Sequence, residues 1–331
     1  MRLITTEEHV VQPEVARAGA AANRALSPHF AETYDPSHGL SASPTVEQLT
    51  DLGEGRIADM DTHGIDTQVV SVLGIQFLPG DVALELSRAA NDRLGAAVRE
   101  HPGRFAAFAA VPTTAGGAVA ADELSRAVGE LGAVGSMVFG RTGTDFLDAP
   151  ALEPVLAASE RLGVPVYLHP TPPPRGISDL AYAGLDPLVS ARFETAGWGW
   201  HLETGVHFVH MVLSGVFDRH PDLQVVLGHW GETAPFFMER FDEMFPQELT
   251  RLERPVSEYF RSNLYITPSG MWSAAQLRFC RELVGVDRMI FSVDYPFIPH
   301  EGAREFLEAA DLTPQDREKF AHGNAERLLG L

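Results

Sequence analysis

Cysteine is almost missing from this chain: Cys280 is the only one in 331 residues. A disulfide within the chain is therefore impossible, and a thiolate metal cluster is excluded. Lysine is equally scarce. Lys319 stands alone, and every other cationic side chain is Arg. It falls in a polar C-terminal segment, TPQDREKFAHGNAERLLGL, not in the buried setting that Schiff-base catalysis needs. A metal pair bridged by a modified lysine is ruled out on the same ground. Positive charge is in short supply too, with Lys+Arg at 25 against Asp+Glu at 45, a formal net charge of −20. Such a field repels phosphate backbones and anionic lipid, which excludes nucleic acid and membrane surfaces as partners. A small anionic substrate is not excluded, because a local metal ion or Arg outweighs the global field over a few ångströms. No apolar run reaches membrane-spanning length, and mean hydropathy is −0.04. The opening MRLITTEEHV has no apolar leader core, so the sequence reads as cytoplasmic.

What is present is an ordinary globular composition, 45% hydrophobic and 21% charged, in a chain long enough for a large core. β-Branched apolar runs bounded by turn residues predict eight strands: 3–10, 67–73, 105–112, 134–139, 164–169, 223–229, 264–267 and 289–294. Segments with helical spacing lie between them, at 82–99, 118–131, 151–162, 233–244 and 272–283. A last helix is predicted at 314–329, with Thr313 as N-cap before Pro314. Alternating strands and helices predict an α/β fold, a (β/α)8 TIM barrel forming one domain over 1–331. No G-x-G-x-x-G follows the first strand, which argues against a dinucleotide-binding open sheet. The connections after strands 1 and 5, 11–45 and 171–221, are too long for plain βα loops. Both would leave from the catalytic face, where they are expected to form a substrate lid and part of a subunit interface.

The predicted strand ends carry the chemistry. Strand 1 ends in Glu7-Glu8-His9, strand 5 in His169-Pro170, strand 6 in Gly228-His229-Trp230-Gly231-Glu232, and strand 8 in Asp294-Tyr295-Pro296. Side chains two apart share a strand face, so Glu7 and His9 point together into the barrel mouth and Glu8 points toward the helices. Carboxylate oxygen and imidazole nitrogen from separate strands suit a divalent metal such as Zn²⁺, Mn²⁺ or Fe²⁺. Each residue alone has an ordinary alternative. His169 or His229 could be a hydrogen-bonded core histidine, Glu7 a rim carboxylate in a salt bridge, and Asp294 a helix N-cap. The joint pattern favours a metal.

Glu-x-His on strand 1, His-Pro on strand 5, G-H-x-G-E on strand 6 and S-x-D-Y-P on strand 8 resemble the amidohydrolase superfamily. More closely they resemble its metal-dependent decarboxylases, which act on γ-resorcylate, 2,3-dihydroxybenzoate, 5-carboxyvanillate and aminocarboxymuconate semialdehyde. The likeness runs from Glu7 to the C-terminus. It implies one divalent ion, Zn or Mn, ligated by Glu7, His9, His169 and Asp294. It also implies His229 beside the metal as an acid/base or substrate-binding group, held by Glu232. Arg240 matches a family position eleven residues on from His229, which places it near an interface or a partner's site. The family's habit of pairing implies a homodimer or homotetramer. Many hydrolases of the superfamily begin with His-x-His; Glu7 in the first position brings a second carboxylate and a formal site charge of about zero, which weakens activation of a bound water.

The implied reaction is non-oxidative decarboxylation of a small hydroxylated aromatic or enol-type carboxylic acid. Asp294 would donate the proton to the carbon bearing the carboxylate, with His229, tuned by Glu232, as the second choice of donor or as a relay. The alternative is a metal-dependent hydrolase of a lactone, amide or carbon–carbon bond. Trp198, Trp200, Trp230, Tyr295 and Phe297 are candidates for the aromatic walls of a substrate pocket, against the ordinary reading of core packing. Asn263 and Ser292, near strands 7 and 8, are read as satisfying backbone groups.

Overall fold

The computed structural model describes residues 1–38 and 43–331. Seven parallel strands form one sheet in sequential order: β1 (Ile4–Val10), β2 (Thr67–Val72), β3 (Phe105–Ala110), β4 (Gly135–Phe139), β5 (Val166–His169), β6 (Val225–Leu227) and β7 (Leu264–Ile266). Between them lie helices, among them Gly80–Glu100, Gly117–Leu131, Glu153–Leu162 and Ala274–Val284. The predicted eighth strand carries no strand ladder of its own. Its backbone nevertheless spans the two edges of the sheet: Ile290 N donates to Ile266 O at 3.0 Å, and Thr6 N donates to Phe291 O at 3.0 Å. Its pairing is irregular because Glu8 takes two of its amides. Val293 N donates to Glu8 Oε1 at 3.1 Å and Tyr295 N to Oε2 at 2.9 Å. Glu8 thus points away from the strand-end cluster, as expected, but it grips backbone instead of facing helices. Burial pushes its carboxyl up to about 8, against these donors and Arg56.

The core divides by strand parity. Side chains such as Ile4, Val69, Phe108, Met137, Tyr167, Val226 and Ile290 pack together on the inner face of the sheet. Their neighbours in sequence, including Leu3, Val70, Ala107 and Leu168, pack against the helices. A bulge in β1 alters this count where it matters. Thr5 pairs with Gln68 but Glu8 pairs with Val70, so Thr6 and Glu7 share the span of Val69. The extra residue shifts the alternation, and Glu7 and His9 join the inward face that Ile4 begins.

The long connections are more ordered than the sequence suggested. Residues 11–45 contain the helix Pro13–Leu26, though 39–42 lie outside the described residues. Residues 171–221 fold into four helices, of which Gly199–Leu213 is the longest. The helix predicted at 233–244 is split into a 3-10 turn, Ala234–Phe237, and a short helix, Met238–Met244. Pro235 sits in the first turn of this segment, where a helix needs no N–H donor. Thr313 caps as predicted, accepting from Asp316 N at 3.1 Å. The helical run after it passes through a π turn at Lys319–Gly323.

Candidate metal centre

At the C-terminal ends of the strands, Glu7, His9, His169 and Asp294 converge until one ligand atom from each lies within 4.8 Å of the others. Three of those atoms are buried with no hydrogen-bond partner: Glu7 Oε1, His9 Nε2 and His169 Nε2. Leaving one such group unpaired costs about 1–3 kcal/mol, so three aimed at one point need a shared partner. The far side of each ring explains its orientation. His169 Nδ1 lies 2.8 Å from Pro170 O, a carbonyl that can only accept, so Nδ1 holds the proton and Nε2 keeps its lone pair. His9 Nδ1 lies 2.9 Å from Ser71 Oγ, whose own hydroxyl donates to Glu8 O. Burial pushes the His169 imidazolium well below the ordinary range, with His9 and His229 adding to the effect. The ring therefore stays neutral, as a metal ligand must.

Glu7 rests on a bed of hydroxyls. Ser269 and Thr267 donate to its Oε2, and Ser292 reaches the same oxygen at 3.4 Å while donating to Thr267 at 2.7 Å. Ser292 thus serves the site as well as backbone, since its oxygen also accepts from Ser269 N. Asn263 does what the sequence suggested, donating to Pro221 O and Leu223 O. Burial raises the Glu7 carboxyl above its ordinary range, opposed chiefly by the charge of His229. The donor set of two carboxylates and two imidazoles, with orphaned atoms facing inward, fits a divalent ion.

His229 stands beside this cluster, its Nε2 4.0 Å from Asp294 Oδ2. Its Nδ1 lies 2.8 Å from Glu232 Oε1, and His201 Nδ1 lies 2.7 Å from Glu232 Oε2, so one buried carboxylate holds two imidazoles. Burial pulls His229 down, but Glu232, then Glu7 and Asp294, more than offset it and hold the ring up at about 10. Glu232 is drawn down to about 2: burial would raise it, but His229 and His201 prevail.

The backbone beneath this pair is unusual. His229, Trp230, Gly231, Glu232 and Thr233 all have positive φ, between 46° and 82°. That is a left-handed turn, costing about 1–2 kcal/mol for each non-glycine residue. Its surroundings enforce it. His229 N donates to Ser269 Oγ at 2.8 Å, Trp230 N to Thr267 O at 2.8 Å, and Trp230 Nε1 to Met271 O at 2.9 Å. A Cβ on Gly205 would lie 2.5 Å from Glu232 O, so the helix Gly199–Leu213 packs its bare backbone on the turn. Among the described residues, seven non-glycine positions have positive φ, and all but Arg251 lie in or beside this site, Asp294 and Ser269 included. Strain collects where function needs a fixed geometry.

The other candidates divide. Phe297 lines the cavity 6.1 Å from the His9 ring, and Trp198 and Trp200 line it as well. Trp230 reaches the wall, but its indole sits in the core against Phe306 and Phe320. Tyr295 is turned away altogether, stacked on His300 at 4.0 Å with Arg56 over its ring at 4.8 Å. Arg240 is not at this chain's cavity. It pairs with Glu243 on the exposed face of Met238–Met244. His201 was missed: it lies inside a predicted loop, and only its place four residues before Gly205 on a helix brings it to Glu232.

Comparison with known proteins agrees with this geometry. The amidohydrolase family profile matches residues 41–331. The chain is 35% identical over 327 residues to gamma-resorcylate decarboxylase from Rhizobium sp. (strain MTP-10005), covering 93% of this chain and 98% of that one. It superposes on 5-carboxyvanillate decarboxylase from Sphingomonas paucimobilis with a TM-score of 0.88 at 32% identity, covering 100% and 99% of the two chains. A dihydroxybenzoic acid decarboxylase from Polaromonas sp. JS666, solved with manganese and the inhibitor 2-nitroresorcinol, superposes at 0.83 with 31% identity over 100% and 97%. A profile that takes in His169, the His229–Glu232 turn and Asp294, joined to relatives alike nearly end to end, leads to one statement: the chain belongs to the amidohydrolase family.

Proposed function

We propose that this protein is a metal-dependent, non-oxidative decarboxylase of a hydroxylated aromatic carboxylic acid, a carboxy-lyase. The observation that carries the reading is the set of orphaned buried atoms, Glu7 Oε1, His9 Nε2 and His169 Nε2, facing the Asp294 carboxylate. These four residues would hold one divalent ion, manganese or zinc. When bound, it would chelate a carboxylate and an ortho hydroxyl, fixing the ring and drawing off charge. The protein supplies the proton. Among the described residues, Asp294 is the only Asp or Glu on the cavity wall, and it would protonate the ring carbon that bears the carboxylate. A C–H bond forms and aromaticity is lost; the bond to the carboxylate then breaks, CO₂ leaves, and its electron pair restores the ring. His229, 4.0 Å from Asp294, would return the proton, with Glu232 and His201 holding the imidazole in place.

The relatives named above are decarboxylases, which favours this reading over the hydrolase. We also read the sheet, with 289–291 bonded to both of its edges, as a (β/α)8 barrel forming one domain. We read the assembly as a homo-oligomer in which exposed Arg240 is free to face a second copy. The test is turnover of hydroxybenzoates by manganese-loaded protein in D₂O. Release of CO₂ with deuterium on the ring supports the proposal; incorporation of ¹⁸O from labelled water into the product overturns it in favour of hydrolysis.

A further inference from the structure

Arg56, on the helix Glu54–Thr62, is only 1% exposed. Among the described residues, every hydrogen bond of its guanidinium goes to a neutral oxygen. Nη2 donates to His9 O at 2.7 Å and to Gln48 O at 3.1 Å, Nη1 donates to Gln68 Oε1 at 3.3 Å, and Nε has no partner. Burial pulls the group down only to about 10, so it stays charged near neutral pH. A buried cation without a paired anion is costly, and its place asks for a reason beyond packing.

The reason lies in what those contacts hold. His9 belongs to the metal cluster, and its carbonyl takes the shortest of the three bonds. His9 N in turn donates to Tyr295 O at 2.7 Å. Tyr295 follows Asp294, and the guanidinium carbon of Arg56 lies 4.8 Å from the centre of its ring. His300 stacks on the same ring at 4.0 Å, the two planes 10° apart. Asp294 itself has a φ of 73°, a conformation that a non-glycine residue keeps only where its surroundings enforce it. Arg56 and His300 on the Tyr295 ring, with Glu8 on Tyr295 N, supply that enforcement.

His300 is fixed as well. Gln68 Oε1 accepts from Arg56, so the Gln68 amide nitrogen faces His300 Nε2 at 2.7 Å and donates to it. His300 Nδ1 then carries the proton and donates to Asp59 Oδ2 at 2.6 Å. Asp59, His63 and His300 gather as closely as metal ligands do, but His300 has no lone pair left for an ion. The group is a brace. Arg56 and Asp59, about one turn apart on one helix, hold the Tyr295 ring, the first directly and the second through His300.

We propose that Arg56 is a positioning residue of the metal centre, holding His9 through its carbonyl and Asp294 through the Tyr295 ring so that both reach one ion. This rests on the metal-dependent decarboxylase reading, and it adds Arg56, Tyr295 and His300 to the residues on which that centre depends.

The test is manganese affinity, read from the EPR signal of the free ion during titration of the folded protein. It is followed by kcat and KM on dihydroxybenzoic acids at saturating metal. Arg56→Lys keeps the charge but loses the planar fork, and its manganese Kd is expected to rise about 10–100-fold. Tyr295→Leu is expected to do the same, whereas Tyr295→Phe, which keeps the ring, retains the natural value. In Arg56→Lys and Tyr295→Leu, kcat should fall about tenfold with KM unchanged, because Asp294 is displaced and the pocket wall is not. Lower urea midpoints with an unchanged manganese Kd in those two variants would make the residues structural only and overturn the proposal. An equal loss in Tyr295→Phe overturns it too. If Arg56→Lys does not fold, the Tyr295 pair decides. Absence of CO₂ from every acid sinks the decarboxylase reading alone, and the manganese titration, which needs no substrate, still decides the role of Arg56.

Discussion

Gly228 and Glu7 occupy space that no side chain at position 228 can share. A Cβ there would stand 2.8 Å from Glu7 Oε1 and 2.7 Å from Ser269 Oγ. The end of β6 therefore leaves a gap into which the Glu7 carboxylate fits. Gly228→Ala should push Glu7 off the hydroxyls beneath it and weaken metal binding about 10–100-fold, the usual effect of disturbing a ligand's support. Elemental analysis after dialysis against a graded chelator would measure this; unchanged metal retention would show that Glu7 is not a ligand.

Glu7→Ala and His169→Ala should each lose the metal, since each removes one of four donors. Asp294→Asn should behave differently. The amide oxygen still reaches the cluster, so some metal stays, but the acid is gone and kcat should fall about 10²–10⁴-fold. Full activity in Asp294→Asn would end its role as proton donor.

His201 is expected to act on the reaction as a positioning residue, through Glu232 and through its ring contact with His229 at 4.5 Å. His201→Ala strips that buried carboxylate of one of its two partners, at a cost of about 1.5–3 kcal/mol in unfolding free energy. The freed carboxylate also lets His229 drift from Asp294, so kcat should drop about tenfold with KM unchanged and the metal retained. His201→Gln, which can still donate to Glu232, should recover most of the rate. Equal kcat loss in both variants would make the residue a mere packing element.

His207 makes folding acid-sensitive away from the site. Its Nε2 accepts from Leu147 N at 2.8 Å, and burial holds its pKa at about 3, against an unfolded value near 6.5. The folded state thus binds fewer protons. Its contribution to stability is complete above about pH 6.5 and is lost as pH falls toward 3, by up to about 1.4 kcal/mol per pH unit. Urea midpoints at pH 7.5, 6 and 5 should fall more steeply for the natural chain than for His207→Gln. Parallel decline in the two would refute the assignment.

Much of the site was legible because metal chemistry constrains residue type and a strand constrains spacing. Periodicity was enough to put Glu7 and His9 on one face and His169 at a strand end, while the ligand roles and the hold of Glu232 on His229 came from the family resemblance. Some inferences succeeded for incomplete reasons. The bulge at Thr6–Glu7 leaves no mark on an alternating pattern, yet without it Glu7 and Ile4 would face opposite sides. The eighth strand was readable as an apolar run but not as an irregular one, because its pairing is interrupted by a carboxylate from β1. Tyr295 was misplaced because direction, not proximity in sequence, decided it: its ring turns away to stack on His300. Phe236 and Phe279 meet from two elements more than forty residues apart, and no local pattern announces such a meeting.

The left-handed turn at 229–233 has a bearing on which substitutions the site tolerates. Local propensity opposes it at four of its five positions, so it has no tendency to form before its supports exist. Those supports are Ser269 and Thr267 from the end of β7 and the bare backbone at Gly205. The turn therefore depends on residues distant in sequence, and a substitution that loosens either support should disturb His229 and Glu232 without touching them.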